Sequence, residues 1–210
     1  MFKLQESETM PKLTVILAAM NQGKSTHLLQ SEWNYRELGY KSLIIKPCTD
    51  TRDGAQNGWG TIKSRLIDEG TPCLYVQSLN KEKLFNLIRK NEYKVVFIDE
   101  IQFFNRSDAL IISDVVDELG ISCFCYGLKV DSNGMMFEGI KHFLALSDDI
   151  KEWKHICKCG DQATMHLRLI NNVPVLGNSV AIEGEDKVEY KSVCRKCWKK
   201  ALKEAGLTIC

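Results

Sequence analysis

Continuous apolar runs alternate with helical periodicity along the first two thirds of the chain. The run LTVILAAM at 13–20 is typical of a parallel strand that is buried on both faces. The segment after it, NQGKSTHLLQSEWNYRELG, repeats apolar residues at helical spacing and ends at Gly39, where a helix C-cap is expected. This part of the chain therefore predicts a strand, a tight loop and a helix.

The same alternation continues further along the chain. The polar, glycine-containing stretch 49–63 has no periodicity, which predicts a flexible loop. The other segments predict strands at 41–47, 72–76, 95–98 and 121–128, a helix after an N-cap at Ser78, and a helix over 107–119. Strands that alternate with helices indicate a mainly parallel sheet covered on both faces.

The pattern changes at about residue 150, where short polar segments punctuated by cysteines begin. We place a domain boundary between Leu146 and Trp153. The predicted fold class is α/β, with a loose lead-in at 1–12, a parallel-sheet domain at 13–150 and a small C-terminal domain at 151–210.

Composition and charge narrow the class of protein. Of the 210 residues, 44% are hydrophobic and 26% are charged, which is ordinary for a globular protein and argues against disorder. The net charge of +1 produces no field that would attract nucleic acid. No apolar run is long enough for a membrane span, and the N-terminal segment MFKLQESETMPK lacks the apolar core of a signal peptide. We expect a cytoplasmic protein without a nucleic-acid or membrane partner.

The segment AAMNQGKS at 18–25 carries the first chemical signal. It fits the phosphate-binding pattern G-x-x-x-x-G-K-[ST] except at its first position, which is Ala18. Backbone N–H groups of such a loop surround phosphates, Gly23 allows close approach, and the helix N-terminus adds its dipole. Lys24 supplies a positive charge, and the Ser25 hydroxyl is a ligand for Mg²⁺. A chance G-K-S at a helix start is the alternative, but the position between a buried strand and an amphipathic helix favours nucleotide binding.

Two acids follow the apolar strand in VVFIDE. Asp99 is expected to coordinate Mg²⁺, directly or through water. The alternative is an acid that caps the next element. Glu100 is expected to point to the other side of the strand end, where its carboxylate accepts a proton from an attacking hydroxyl.

Two close cysteine pairs lie in the C-terminal part, Cys157 with Cys159 and Cys194 with Cys197. Four thiolates suit a tetrahedral structural zinc ion, which would stabilise a domain too small to build a sufficient core. Disulfide bonds are the alternative, and the reducing compartment expected for this chain disfavours them.

Several motifs occur together in one order and spacing: AAMNQGKST, KPCTDTRD, the pair Ser64-Arg65, FIDEIQFF, CYGLKVD followed by FEG, and CKCG paired with YKSVCRKC. Over about residues 13–200 the chain thereby resembles the cytosolic, tetrameric type of thymidine kinase. The resemblance implies transfer of the γ-phosphoryl group of ATP to the 5′-hydroxyl of thymidine and deoxyuridine, which yields dTMP in nucleotide salvage. It also implies a homotetramer and feedback inhibition by dTTP.

The resemblance further implies roles for individual residues. Glu100 matches the general base of the family, and Arg65 matches an arginine near the transferred phosphate. The positions that match the nucleotide and Mg²⁺ site are Ala18, Ala19, Met20, Asn21, Gln22, Gly23, Lys24, Ser25, Thr26, Asp99 and Gln102. The resemblance also implies a thymidine site, with side-chain walls at Met20, Phe103, Leu128 and Tyr190. Backbone hydrogen bonds to the base are implied from a loop of the C-terminal domain, called the lasso, at Val180, Ala181 and Ile182.

The chain departs from the family pattern at two places. Ser132 stands where related sequences commonly carry a phenylalanine against the base. The segment 183–190 is longer than the family pattern between lasso and tyrosine. Phe137 is a candidate to supply the missing stacking area, and base selectivity stays open at this level.

Two other functions compete with a kinase. One is an ATP-driven nucleic-acid-binding protein with a zinc ribbon, which the near-zero charge disfavours. The other is a nucleotide sensor that has lost catalysis. The joint presence of Lys24, Ser25, Asp99, Glu100 and Arg65 argues against that loss.

Overall fold

The computed structural model describes residues 10–48, 58–64, 67–153, 155–177 and 188–208. It confirms an α/β fold with a mainly parallel central sheet and a smaller C-terminal unit. No helix within these ranges is both long and apolar enough to cross a membrane. The main-sheet strands and the helices beside them are β1 Leu13–Leu17, α1 Lys24–Glu37, β2 Ser42–Pro47, β3 Gly58–Ser64, β4 Ile67–Val76, α2 Lys81–Asn91, β5 Val95–Ile98, α3 Arg106–Leu119, β6 Ser122–Gly127, α4 Glu138–Leu146 and β7 Asp149–Glu152.

The central sheet has the strand order β3-β4-β2-β5-β6-β1-β7 and is parallel except for the β3–β4 pair. Helix α1 packs on one face, where Leu28 and Leu29 meet Ile16. Helices α2, α3 and α4 pack on the other face, which includes Val15 and Leu17. Because both faces are covered, every residue of β1 is buried, and the strand reads as a continuous apolar run.

The prediction of a flexible loop over 49–63 is wrong for residues 58–63. Residues 58–64 form β3, which pairs antiparallel with β4 at the edge of the sheet, and β4 is longer than the predicted strand 72–76. Along β3 only Ile62 is buried, and Trp59 is exposed. An edge strand with a single buried side chain shows no apolar run, so its sequence resembles a loop. Residues 49–57 lie outside the described part of the chain.

Helix starts differ slightly from the predicted ones because of local capping. The N-cap of α2 is Asn80, whose side chain accepts a hydrogen bond from Lys83 N at 3.0 Å, and not Ser78. Helix α3 begins one residue before the prediction. Its capping box joins Asn105 and Asp108, so both side chains satisfy backbone N–H groups at the helix start.

The C-terminal unit follows β7, which pairs in parallel with β1 and so carries the main sheet past residue 150. The unit contains β8 His155–Ile156, β9 Gln162–Ala163, β10 Met165–Ile170, β11 Val173–Pro174, β12 Val188–Val193 and α5 Arg195–Glu204. Strands β11, β10 and β12 form an antiparallel sheet, and β8 pairs with β9. Leu167, Leu169, Trp198 and Leu202 form its small apolar core.

Gly139 lets α4 approach the segment that follows β5. A Cβ at this position would lie 2.4 Å from the carbonyl oxygen of Phe104 and 2.6 Å from that of Ile101. We expect Gly139→Ala to lower the free energy of unfolding by roughly 1–3 kcal/mol, because backbone carbonyls must shift to admit the methyl group. Urea unfolding monitored by circular dichroism measures this change.

Gly177→Ala is the matched control, since among the described residues its Cβ would meet the Arg168 guanidinium alone, at an ordinary 3.5 Å. Its unfolding free energy should change by less than about 0.5 kcal/mol. Equal destabilisation by the two substitutions would contradict the steric explanation.

Candidate active site

The phosphate loop lies between the carboxyl end of β1 and the start of α1. Ala18 N donates to Gly127 O at 3.2 Å, and Ala19 N donates to Gln22 Oε1 at 3.2 Å. Asn21 and Gly23 have φ values of 60° and 75°, which turn the chain into the helix. Ala18 is buried and has no positive φ, so alanine fits the first position of the motif without backbone strain.

Lys24 joins the loop to both predicted acids. Its Nζ lies 2.8 Å from Glu100 Oε1 and 3.5 Å from Asp99 Oδ1. The Ser25 hydroxyl donates to Asp99 Oδ2 at 3.4 Å. Burial raises the pKa of Asp99 above its ordinary value, and the positive charge of Lys24 opposes that shift. A cation, two carboxylates and a hydroxyl thus meet at the carboxyl ends of β1 and β5.

Glu100 does not point away from Asp99 as the strand alternation predicts. Its backbone is left-handed, with φ 53° and ψ 44°, and it leads into a 3-10 turn at Ile101–Phe103. Alternation of side chains holds only while the backbone stays extended, so both carboxylates turn toward Lys24. A non-glycine residue in this conformation is uncommon, and such residues concentrate at functional sites.

Gln102 holds the second oxygen of the Glu100 carboxylate. Its Nε2 donates to Glu100 Oε2, and its Oε1 accepts a hydrogen bond from Leu128 N at 3.1 Å. Both groups of the amide are therefore used, and the side chain is buried. Gln102 thereby links the Glu100 carboxylate to the end of the neighbouring strand β6 and fixes its orientation.

Lys46 is a buried cation that sequence reasoning did not select. It lies on β2, with Nζ 6.0 Å from the centroid of the Tyr75 ring, and its positive charge lowers the pKa of Asp99. The signal was a lysine inside the apolar run SLIIKP, immediately before Pro47. A charge in a strand that is otherwise buried is unusual, and this one lies close enough to Asp99 to affect its titration.

Three of the four predicted wall residues lie beside this cluster along the chain or through a hydrogen bond, and the fourth, Tyr190, is connected through a neighbour on β12. Leu128 is bonded to Gln102, and Phe103 directly follows Gln102 in the 3-10 turn. Met20 belongs to the phosphate loop. Tyr190 lies on β12 two residues before Ser192, so the side chains of Tyr190 and Ser192 share a face of the strand. The Ser192 hydroxyl on that face donates a hydrogen bond to the Met20 carbonyl.

Ser132 lies where the segment after β6 contacts the C-terminal unit. It is buried, and its carbonyl oxygen accepts a hydrogen bond from Trp198 Nε1 at 3.2 Å. Phe137 lies edge-on to Phe103, with ring centroids 6.4 Å apart. An aromatic ring therefore stands next to one predicted wall residue, although it comes from the start of α4.

Some predicted site residues lie outside the described residues. These are Arg65 and the lasso positions Val180, Ala181 and Ile182. Their roles remain predictions from the resemblance.

The four predicted metal ligands come together in the C-terminal unit. The sulfur atoms of Cys157, Cys159, Cys194 and Cys197 all lie within 4.8 Å of one another. Cys159 Sγ and Cys194 Sγ are 3.6 Å apart. Zinc–sulfur bonds of about 2.3 Å in a tetrahedron separate sulfurs by about 3.8 Å, so this donor set fits zinc. The described cysteines form no disulfide bond, so the alternative reading of the two cysteine pairs as disulfides has no support among them.

Hydrogen bonds favour the thiolate form of one cysteine in this cluster, Cys157, whereas hydrogen bonds with the neighbouring sulfurs raise the pKa of Cys197 to about 12. Backbone hydrogen bonds from Cys159 and Cys194 lower the pKa of Cys157 to about 7. Cys194 caps α5, and its sulfur accepts a hydrogen bond from Cys197 N at 3.4 Å. Because metals bind the thiolate form, Cys157 is the cysteine of this cluster whose contacts most favour a metal ligand.

His166 and Ser192 were also missed by sequence reasoning, although both contact the phosphate loop. Met20 N donates to His166 Nε2 at 3.1 Å, and Ser192 Oγ donates to Met20 O at 2.7 Å. A weak signal exists in the strand MHLRLI, where polar residues at 166 and 168 alternate with the leucines of the apolar core.

Comparison with known proteins identifies strong similarity over nearly the whole chain. The family described as thymidine kinase (TK) matches residues 11–198. A thymidine kinase of Rhodopirellula baltica is 41% identical over 199 residues, which cover 92% of this chain and 90% of the relative. One of Salmonella typhimurium is 40% identical over 95% of this chain and 96% of the relative. One of Zymomonas mobilis is 37% identical over 89% of this chain and 95% of the relative.

Proposed function

The chain belongs to the thymidine kinase family, and we propose that its phosphate loop, Asp99 and Glu100 form the site of phosphoryl transfer. It is an ATP:thymidine phosphotransferase, with ATP and thymidine as its substrates. The observation that carries the site assignment is the position of Lys24, which contacts both carboxylates from the first turn of α1. A phosphate-binding lysine and a proton acceptor are thereby held in one cluster.

The nucleotide side of the site uses the strand–loop–helix geometry. Phosphates would lie against the N-terminus of α1, where backbone N–H groups and the helix dipole favour negative charge. Lys24 would then contact the phosphates as a point charge. Ser25 and Asp99 would hold Mg²⁺, whose chemistry is to neutralise charge that develops on the phosphates.

Glu100 would accept the proton of the 5′-hydroxyl. The Lys24 ammonium beside it forms an ion pair with the carboxylate. Phosphates compete for the same ammonium, and nucleotide binding would therefore release Glu100 from this ion pair. Gln102 would keep the carboxylate in place through its bond to Oε2.

The nucleoside would lie between the 3-10 turn and the C-terminal unit. Phe103 and Leu128 flank Gln102, and Tyr190 faces the loop from β12. Apolar and aromatic walls suit a pyrimidine ring and admit deoxyuridine as well as thymidine. The proposal also assigns Arg65 to the transferred phosphate and the lasso backbone at 180–182 to the base, as the resemblance implies.

The finer properties of the protein belong to the same proposal. A structural zinc ion on the four cysteines is supported by the sulfur geometry. A homotetramer, a cytoplasmic location and feedback inhibition by dTTP are supported by the resemblance to the family alone. Product formation would place the enzyme in nucleotide salvage, where dTMP is made from thymidine.

A panel of nucleosides tests the function directly. Purified protein is incubated with ATP and thymidine, deoxyuridine, deoxycytidine or deoxyguanosine, and monophosphate formation is followed by chromatography. We expect turnover of thymidine and deoxyuridine, no turnover of the other two, and about one zinc per chain. A preference for deoxycytidine, or folded and ATP-binding protein that phosphorylates no nucleoside, would contradict the proposal.

A further inference from the structure

The C-terminal sheet binds both polar backbone groups of one residue in the phosphate loop. The Met20 N–H donates to His166 Nε2 at 3.1 Å, and the Met20 carbonyl accepts from Ser192 Oγ at 2.7 Å. His166 on β10 and Ser192 on β12 are direct cross-strand partners. A single cross-strand pair therefore contacts both sides of the Met20 residue.

The hydrogen bonds define the state of the imidazole. His166 Nδ1 lies 2.8 Å from the carbonyl oxygen of Val130, which can only accept a hydrogen bond. Nδ1 therefore carries the proton, and Nε2 is the acceptor for Met20. Burial lowers the pKa of His166 to about 4, which keeps the ring neutral near pH 7. The ring thus connects the phosphate loop, the segment after β6 and the C-terminal sheet.

We propose that His166 and Ser192 are positioning residues that hold the phosphate loop through Met20 and thereby make nucleotide affinity depend on the C-terminal sheet. The Met20 N–H is directed at the sheet, so this contact sets the direction of the loop backbone that follows toward Gly23. The side chain of Met20 is also a proposed wall of the nucleoside site. The inference rests on the proposed function in that the loop binds ATP.

The same contact connects the two substrate sites. Tyr190 lies on β12 two residues before Ser192, so displacement of the sheet from Met20 moves a proposed nucleoside wall as well. Loss of either hydrogen bond is expected to weaken ATP binding about 10-fold, since an unpaired, partly buried polar group of the loop costs affinity on this scale. The effect should fall on the affinity and KM for ATP more than on kcat.

Paired substitutions separate the positioning role from simple packing. His166→Gln places an amide oxygen near the position of Nε2 and keeps the acceptor for Met20, whereas His166→Asn keeps only the group near Nδ1. Ser192→Thr keeps the hydroxyl, and Ser192→Ala removes it. We expect the Asn and Ala variants to bind ATP about 10-fold more weakly and the Gln and Thr variants to stay near wild type.

Isothermal titration with a non-hydrolysable ATP analogue measures these affinities on the full chain, without any need for nucleoside turnover. Failure of the nucleoside panel would therefore not be confused with failure of this inference. His142→Asn and Ser113→Ala are controls, because His142 pairs with Glu138 on α4 and Ser113 Oγ bonds to Leu110 O within α3. Both should bind the analogue as wild type does.

Wild-type ATP affinity in all four His166 and Ser192 variants would overturn the inference. Weaker binding by His166→Gln than by His166→Asn would also overturn it, since the bond to Val130 would then be the important one. If a His166 variant does not fold by circular dichroism, the Ser192→Ala and Ser192→Thr pair decides the outcome. Steady-state KM and kcat for ATP on the same proteins provide the second readout.

Discussion

Replacing Glu100 by glutamine is expected to lower kcat for thymidine phosphorylation by about 10²–10⁴-fold. Glutamine has the shape of glutamate but cannot accept the proton of the 5′-hydroxyl. The loop itself, Lys24 and Ser25 remain in place, and glutamine no longer competes as an anion for Lys24, so ATP affinity should be equal to or higher than that of wild type. Steady-state kinetics with thymidine measure kcat, and titration with an ATP analogue measures affinity on the same preparation.

Glu92→Gln is a close control for this substitution. Glu92 also has a left-handed backbone, with φ 59°, but it is the exposed C-cap of α2 and pairs with Lys41 at 3.7 Å. The control tests whether removal of a glutamate charge from this backbone conformation is itself damaging, and its kcat should equal that of wild type. Near-normal turnover by Glu100→Gln would exclude Glu100 as the general base.

Replacing Cys194 by serine is expected to remove zinc and thymidine phosphorylation together. Cys194 is both one of four clustered sulfurs and the N-cap of α5, so the change affects the metal site and a helix start. Among the described residues, the main apolar cluster of this unit has four buried side chains, and a second cluster consists of Ala163 with two of the cysteines themselves. Zinc binding contributes about 10–16 kcal/mol in small zinc domains, which exceeds what such a core supplies. We therefore expect the C-terminal unit to unfold, and Tyr190, Ser192 and His166 to leave the active site.

Zinc content by atomic emission, near-ultraviolet circular dichroism and turnover are measured on the same sample. Cys48→Ser is the control, because Cys48 lies after β2, away from the cluster of four. It should keep about one zinc per chain and wild-type turnover. Full zinc occupancy in Cys194→Ser would show that the remaining three cysteines suffice and that Cys194 is not required as a ligand.

The local sequence determined most of the central sheet and the chemical core of the site. Buried parallel strands are recognisable because both faces are covered, so LTVIL, VVFI and most of SLIIKP are nearly continuous apolar runs. The phosphate loop is contiguous, and its position between β1 and α1 is a local property. Asp99 and Glu100 are the two residues directly after β5, so they too are visible in the local sequence. The two cysteine pairs were equally visible, and together these motifs identified the family that the comparisons confirm.

Tertiary structure alone decided the features that depend on partners remote in the chain. Edge strand β3 exists because β4 pairs with it, while its own residues show no strand pattern. The direction of Glu100 depends on a left-handed turn that brings it to Lys24, 76 residues away. His166 and Ser192 acquire a role only because β10 and β12 lie against Met20, a contact that spans 146 and 172 residues. Periodicity reports which face of an element is buried, but not which atoms of another element lie there, so these contacts could not be derived from the sequence.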